Sequence, residues 1–122
     1  MTAEQAWEFA NHWISSWNSH DLEAILSHYD DAVELTSPVA ARLLGLPDGR
    51  VRGKDNLRAY FRRGLEAFPN LQFYLEDVLC GLNSAVLYYK NQSGNRTAEF
   101  MEFSAGGKVF RAVANYSLPR PD

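Results

Sequence analysis

The chain has 122 residues, a length that suits one domain and hardly allows two. Its composition is that of a folded globular protein, 46% apolar and 22% charged, and a net charge of −3 lacks the basic excess of a nucleic-acid binder. The single cysteine, Cys80, excludes an internal disulfide and a cysteine-based zinc cluster, and a chain of this size can bury enough surface to need neither.

The N-terminus carries no basic and apolar signal pattern, and no stretch approaches the length of a membrane span, so the expected location is the cytoplasm. Thr2 followed by Gln5 reads as a capping box. Ala6, Phe9, Ala10, Trp13 and Trp17 then recur at helical spacing, predicting an amphipathic helix that ends near Asn18. Asp21 caps a second helix with Leu22, Ile25, Leu26 and Tyr29 on one face, and Asp30-Asp31 breaks it. Val33, Leu35 and Ser37 alternate with polar positions, predicting a short strand stopped by Pro38.

Residues 38 to 52 hold Pro38, Gly45, Pro47 and Gly49 and read as an irregular loop, with one helical turn over Ala40 to Leu44. Arg42 lies in this loop, where it meets either solvent or an anionic ligand. A third helix starts at Gly53-Lys54-Asp55, buries Leu57, Phe61, Gly64, Leu65 and Phe68, and stops at Pro69. Its basic residues Lys54, Arg58, Arg62 and Arg63 are interrupted by Asp55 and Glu66, the pattern of a solvated face rather than a nucleic-acid surface.

From Leu71 onward the pattern becomes strand-like, in segments at about 71–82, 84–92, 96–105 and 108–118 separated by short glycine-containing connections. Such connections suit hairpins, so the order of elements predicts an α+β domain over residues 1–122 with an antiparallel meander. With Gly106-Gly107 as a two-residue loop, Phe103 pairs with Phe110, Met101 with Ala112, Glu99 with Ala114 and Glu102 with Arg111. One face of this hairpin is then apolar apart from Glu99. The preceding hairpin leaves two registers open: a Gly94-Asn95 loop sets Lys90 opposite Glu99, and a Ser93-Gly94 loop sets Tyr88 there.

This order of elements resembles the nuclear transport factor 2-like (NTF2-like) superfamily, which includes ketosteroid isomerases and SnoaL-like polyketide cyclases. The residues that carry the resemblance are Trp17-Asn18-Ser19-His20-Asp21-Leu22, Tyr29-Asp30-Asp31-Ala32-Val33-Glu34, Val51-Arg52-Gly53-Lys54 and the hairpin from Glu99 through Gly106-Gly107-Lys108-Val109. The resemblance implies a cone, with three N-terminal helices on the concave face of a curved, mainly antiparallel sheet. It also implies a mostly apolar pocket inside, and a homodimer through the outer sheet face. In the isomerase branch a carboxylate ending the first strand removes a proton, while a first-helix Tyr and a late-strand acid hold the oxyanion. Here those positions are Ser37, Trp13 and Glu99, so two of the three roles lack their residue.

Glu99 is therefore the candidate catalytic acid or base, since burial in an apolar wall raises a carboxyl's pKa. Trp13, Tyr29, Ser37, Tyr60, Tyr88, Met101 and Tyr116 are candidate ligand-contacting residues; core packing is the alternative role, above all for Trp13 and Met101. His12, His20 and His28 lie at spacings that form no metal pair, and neither metal nor cofactor is expected. The expected function is a SnoaL-like protein binding a small apolar or amphipathic molecule, with cofactor-free proton transfer as its chemistry. The alternative is a ligand-binding or dimerisation module without catalysis.

Overall fold

The computed structural model describes residues 1–122. Four helices and six strands follow in the order α1 (Ala3–Asn18), α2 (Leu22–Leu26), β1 (Tyr29–Thr36), α3 (Pro38–Leu44), β2 (Arg50–Arg52), α4 (Lys54–Ala67), β3 (Tyr74–Cys80), β4 (Ser84–Lys90), β5 (Arg96–Phe103) and β6 (Val109–Tyr116). The strands form one sheet in the order β2-β1-β6-β5-β4-β3. Neighbours are antiparallel except β1 and β6, which run parallel. This is the expected α+β architecture of helices packed on a curved, mainly antiparallel sheet. No helix is long and apolar enough to cross a membrane.

Local sequence explains most of the elements. Thr2 and Gln5 form the capping box that starts α1, each side chain bonding the other's backbone N–H. Asp21 accepts from the Ala24 N–H to start α2. The region expected to be irregular, 38–52, is more ordered than that. Ser37 caps α3 by accepting from Val39 N–H, Pro38 occupies the first turn, and Gly45 ends the helix at φ +65°. The chain then returns as β2 beside β1, a three-residue edge strand too short to leave a period-two signature.

The C-terminal sequence of α1 fastens the helices to the sheet. Asn18 accepts from the Phe73 N–H at 2.7 Å and donates to the Phe73 carbonyl at 2.9 Å. His20, at φ +58°, sets a ring nitrogen 2.8 Å from the Leu71 carbonyl. At the other side Gly53, φ +83°, donates to Val33 O at 2.7 Å where the chain enters α4. That backbone angle is open to glycine and strained for other residues.

The two long hairpins use the same turn with different consequences. In β5–β6, Ser104 pairs with Lys108 across a three-residue loop with Gly107 at φ +79°, one residue more than the expected Gly106-Gly107 turn. A bulge at Phe110 then restores the register, so Glu102 meets Arg111, Met101 meets Ala112 and Glu99 meets Ala114, as expected. Phe103 pairs with Val109 rather than Phe110, which is left exposed. In β4–β5, Asn91 pairs with Asn95 around Gly94 at φ +80°, and no bulge compensates. Neither expected register therefore forms: Leu87 lies opposite Glu99, Lys90 opposite Arg96 and Tyr88 opposite Ala98. A one-residue slip turns each side chain to the other face, so Tyr88 belongs to the outer face and Tyr89 to the inner one.

The inner face packs against the helices around Trp13, Ile25, Tyr29, Leu57, Leu87 and Met101, all buried. Trp13 stacks on Phe73 and meets Tyr89 at 5.3 Å between centroids. On the outer face one apolar row crosses the sheet in register: Thr36, Val113, Phe100, Val86 and Leu79. A charged row runs beside it, with Arg52–Glu34 and Arg111–Glu102 as ion pairs at 3.5 and 2.6 Å.

Asn18→Ala should lower unfolding stability by about 2 kcal/mol, because it strands the Phe73 N–H and carbonyl where water reaches them poorly. Urea unfolding measures this, and a loss under about 0.5 kcal/mol would show that the clamp is dispensable.

Candidate functional site

Glu99 sits in the middle of the inner face. Ala114 flanks it on β6 and Leu87 on β4, while Thr97 and Met101 flank it along its own strand. It is 5% exposed, in a layer of mainly apolar and aromatic side chains with Thr97 as a buried polar neighbour. Its one side-chain hydrogen bond comes from Tyr89, whose hydroxyl donates to Oε1 at 2.7 Å. Tyr89 stands opposite Thr97 and reaches Glu99 on the diagonal, a distance long side chains span between antiparallel strands. The residue that holds the acid thus lies between the two expected alternatives, Tyr88 and Lys90. The period-two pattern of β4, with Ala85, Leu87 and Tyr89 buried on one face, was the available signal.

Burial drives the Glu99 carboxyl up from an ordinary 4.5 to about 7, and the Tyr89 hydrogen bond opposes that rise. Glu99 acts in turn on the phenols around it. Tyr29, Tyr60, Tyr89 and Tyr116 are each pushed above the usual phenol value, first by burial and next by Glu99, with Ser37 opposing the rise in Tyr60 and Tyr116. Tyr29 also accepts a hydrogen bond from Trp13 Nε1 at 2.9 Å. So α1 contributes Trp13, β1 contributes Tyr29, α4 contributes Tyr60, and three adjacent strands contribute Tyr89, Glu99 and Tyr116.

The candidate residues fall into two groups. Trp13, Tyr29 and Met101 are at most 1% exposed and pack in the core. Ser37 and Tyr60 are buried and Tyr116 is 37% exposed, and Ser37 lowers the pKa of both phenols. Exposure rises along β6 from Ala112 at 0% through Ala114 at 6% to Tyr116 at 37%, so the inner face opens toward this second group. Two surface depressions lie elsewhere. One is wholly polar, at the start of α4 around Asp31, Arg52 and Lys54; the other is at the β3–β4 turn around Leu79, Ser84 and Val86.

Other candidate chemistry does not assemble. No three His, Cys, Asp or Glu side chains converge as a metal site requires. Cys80 is exposed, with its sulfur near the carbonyls of Met1 and Thr2. Trp17 Nε1 is the one buried side-chain polar atom without a hydrogen-bond partner; its ring stands edge-on to Phe61 at 4.8 Å.

A carboxyl whose pKa is higher in the folded state stabilises the fold fully below its unfolded pKa and loses that contribution as pH rises through the folded value. For Glu99 that window runs from about 4.5 to about 7. Glu99→Gln keeps an acceptor for Tyr89 and removes the titration. The stability difference between the variant and the wild type should therefore move in the variant's favour by about 3 kcal/mol between pH 4 and pH 8. Urea unfolding at a series of pH values checks this, and a pH-independent difference would mean that Glu99 titrates as a surface carboxyl.

The geometry has clear relatives. A SnoaL-like domain model matches residues 10–115. A SnoaL-like protein of unknown function from Burkholderia thailandensis has a solved structure that superposes with a TM-score of 0.91 at 39% identity, covering 95% of this chain and 97% of that one. A protein of unknown function with a cystatin-like fold from Methylobium petroleophilum gives 0.77 at 15% identity, covering 100% and 82%. An NTF2-like protein of unknown function from Burkholderia xenovorans gives 0.74 at 23% identity, covering 98% and 88%. No curated protein sequence matches significantly. The matched domain spans the helices, the curved sheet and the buried Glu99, and the chain belongs to the SnoaL-like family.

Proposed function

We propose that this SnoaL-like protein binds a small carbonyl compound at the open end of its inner face and moves a proton on it, with Glu99 as the acid or base and no cofactor. The single observation that carries the reading is a buried carboxyl, pKa about 7, ringed by tyrosine phenols. A group with that pKa is half ionised near neutrality, where it exchanges a proton with least penalty in either direction. In the forward step the Glu99 carboxylate takes a proton from carbon next to the carbonyl. The C–H bond breaks, the carboxyl O–H forms, and the electron pair moves to the carbonyl oxygen. Tyr60 and Tyr116 are the donors best disposed to hold that oxygen, since they lie toward the open end and are not committed to the carboxylate as Tyr89 is. Returning the proton to a different carbon completes an isomerisation.

A second reading has its own support. Ser37, at the position where the isomerase branch carries its base, is occupied as the cap of α3, accepting from Val39 N–H at 3.1 Å. Trp13, Tyr29 and Met101 fill the deep end. Both features favour a binding module that holds a small molecule without reacting on it.

Deuterium exchange separates the two. Small ketones incubated with the protein in D2O and followed by proton NMR should lose α-protons faster with wild type, and Glu99→Gln should reduce that acceleration at least a hundredfold. Ketone binding with no acceleration would establish the binding module instead.

The outer sheet face supports a further part of the proposal, self-association as a two-fold dimer. Its apolar row through Val113, Phe100 and Val86 lies beside a row of alternating charges, an arrangement that can complement itself about a two-fold axis. Val113→Asp should convert a dimer to a monomer in sedimentation velocity at micromolar concentration. A monomeric wild-type protein would remove this part.

A further inference from the structure

Residues 71–73, between α4 and β3, belong to no helix or strand, yet side chains from distant parts of the chain hold each of them. The Leu71 carbonyl lies 2.8 Å from a ring nitrogen of His20, and the Gln72 N–H donates to Gln92 Oε1 at 3.2 Å. Phe73 is held at two points, because the Asn18 amide bonds both its N–H and its carbonyl. One side-chain amide meets both groups of a single residue only when that residue's backbone is in one orientation. That orientation also sets the direction in which the Phe73 side chain leaves the backbone.

The Phe73 ring meets two others. Its centroid is 4.6 Å from that of Tyr89 and 5.9 Å from that of Trp13, and the Trp13 and Tyr89 centroids are 5.3 Å apart. The three rings therefore contact one another pairwise. Trp13 is anchored in its turn, since its indole N–H donates to the Tyr29 hydroxyl at 2.9 Å. Trp13 and Tyr89 are buried, and Phe73 is the half-buried member of the cluster. Tyr89 carries the hydroxyl that reaches Glu99, 2.7 Å from Oε1. A ring packed on two anchored rings has little freedom to swing, so its neighbours set where its hydroxyl points. The contacts run without a gap from Asn18 to the Phe73 backbone, from the Phe73 ring to Tyr89, and from Tyr89 to the acid.

We propose that Phe73 is a positioning residue for Glu99, acting through the Tyr89 hydroxyl, and that the Asn18 clamp on the Phe73 backbone keeps it in place. Its consequence for proton transfer rests on the reading of Glu99 as the acid or base; the way the acid is held does not. A hydroxyl that donates to a carboxylate favours the charged form, so weakening that bond raises the carboxyl's pKa. Burial and Tyr89 are the two influences on Glu99 itself. The other titratable groups that feel Glu99 are the phenols of Tyr29 on β1, Tyr60 on α4 and Tyr116 on β6, all neutral near pH 7.

The test is the titration midpoint of the Glu99 carboxyl, followed by the NMR shift of its carboxyl carbon between about pH 4 and about pH 10, with Glu99→Gln identifying the signal. Tyr89→Phe should raise the midpoint by about one pH unit. Phe73→Leu should raise it by about half as much, and Asn18→Ala should move it in the same direction. In the Tyr89→Phe background neither substitution should move it further, because the hydroxyl through which both act is gone. Phe9→Leu removes a ring that meets His28 and Phe103 instead, and it should leave the midpoint unchanged. No shift from Tyr89→Phe or from Phe73→Leu, or a Phe73→Leu shift that persists in full without the Tyr89 hydroxyl, would overturn the positioning role. So would a fall in the midpoint, which would mean that Phe73 only keeps water from the acid. Should Phe73→Leu not fold, Asn18→Ala with and without Tyr89→Phe gives the same decision. Ketone exchange in D2O separates this role from the proton-transfer reading. Unmoved midpoints beside Glu99-dependent exchange remove the positioning role alone. The expected midpoints without any accelerated exchange remove proton transfer and leave the acid held through Phe73 and Tyr89.

Discussion

One hydrogen bond, from the Tyr89 hydroxyl to Glu99 at 2.7 Å, makes the interior of this protein possible. A carboxyl among aromatic side chains carries a large desolvation cost unless a donor meets it. Tyr89 supplies that donor from the neighbouring strand and is itself pinned between Trp13 and Phe73. The acid is therefore fixed in position, yet it is not stabilised enough to be an ordinary carboxylate. The balance leaves its pKa at about 7. A stronger donor set or an arginine in place of Tyr89 would give a more stable core and an inert carboxylate.

The residues that carry the family resemblance serve a different purpose. Asn18 and His20 tie the end of α1 to the backbone leading into β3, Asp21 starts α2, and Gly53 joins β1 to α4. Each satisfies backbone groups at a junction where a helix meets the sheet. Other residues of the same motifs, Tyr29 and Glu99, are buried on the inner face. The junctions set the shape of the inner face, and the chemistry depends on which few residues point into it.

The resemblance implied a phenol at the Trp13 position and a base at the Ser37 position. The Trp13 indole N–H is spent on Tyr29. The Ser37 hydroxyl is spent on capping α3. Trp13 packs with Tyr29 and Met101 in the core, so neither side chain supplies the role that the resemblance implied.

Much of this was legible in the linear sequence. The apolar spacing of α1, the caps at Thr2 and Asp21, the break at Pro38 and the glycine turns are local signals, because each arises from contacts between residues a few positions apart. The pairing of Glu99 with Ala114 was legible for a less secure reason: an extra turn residue and the bulge at Phe110 cancel. The neighbouring hairpin has the same turn without the bulge, and there the expected register fails and Tyr89 replaces Tyr88. Strand register depends on one residue in a turn, and turn types with the same glycine look alike in sequence. The sequence by itself determined most of the elements, the family and the presence of one acid in an apolar strand. Only the tertiary structure decided which tyrosine holds that acid and that β2 and α3 order the segment after β1. Those relations join residues from distant parts of the chain, and they exist only once the sheet has closed under the helices.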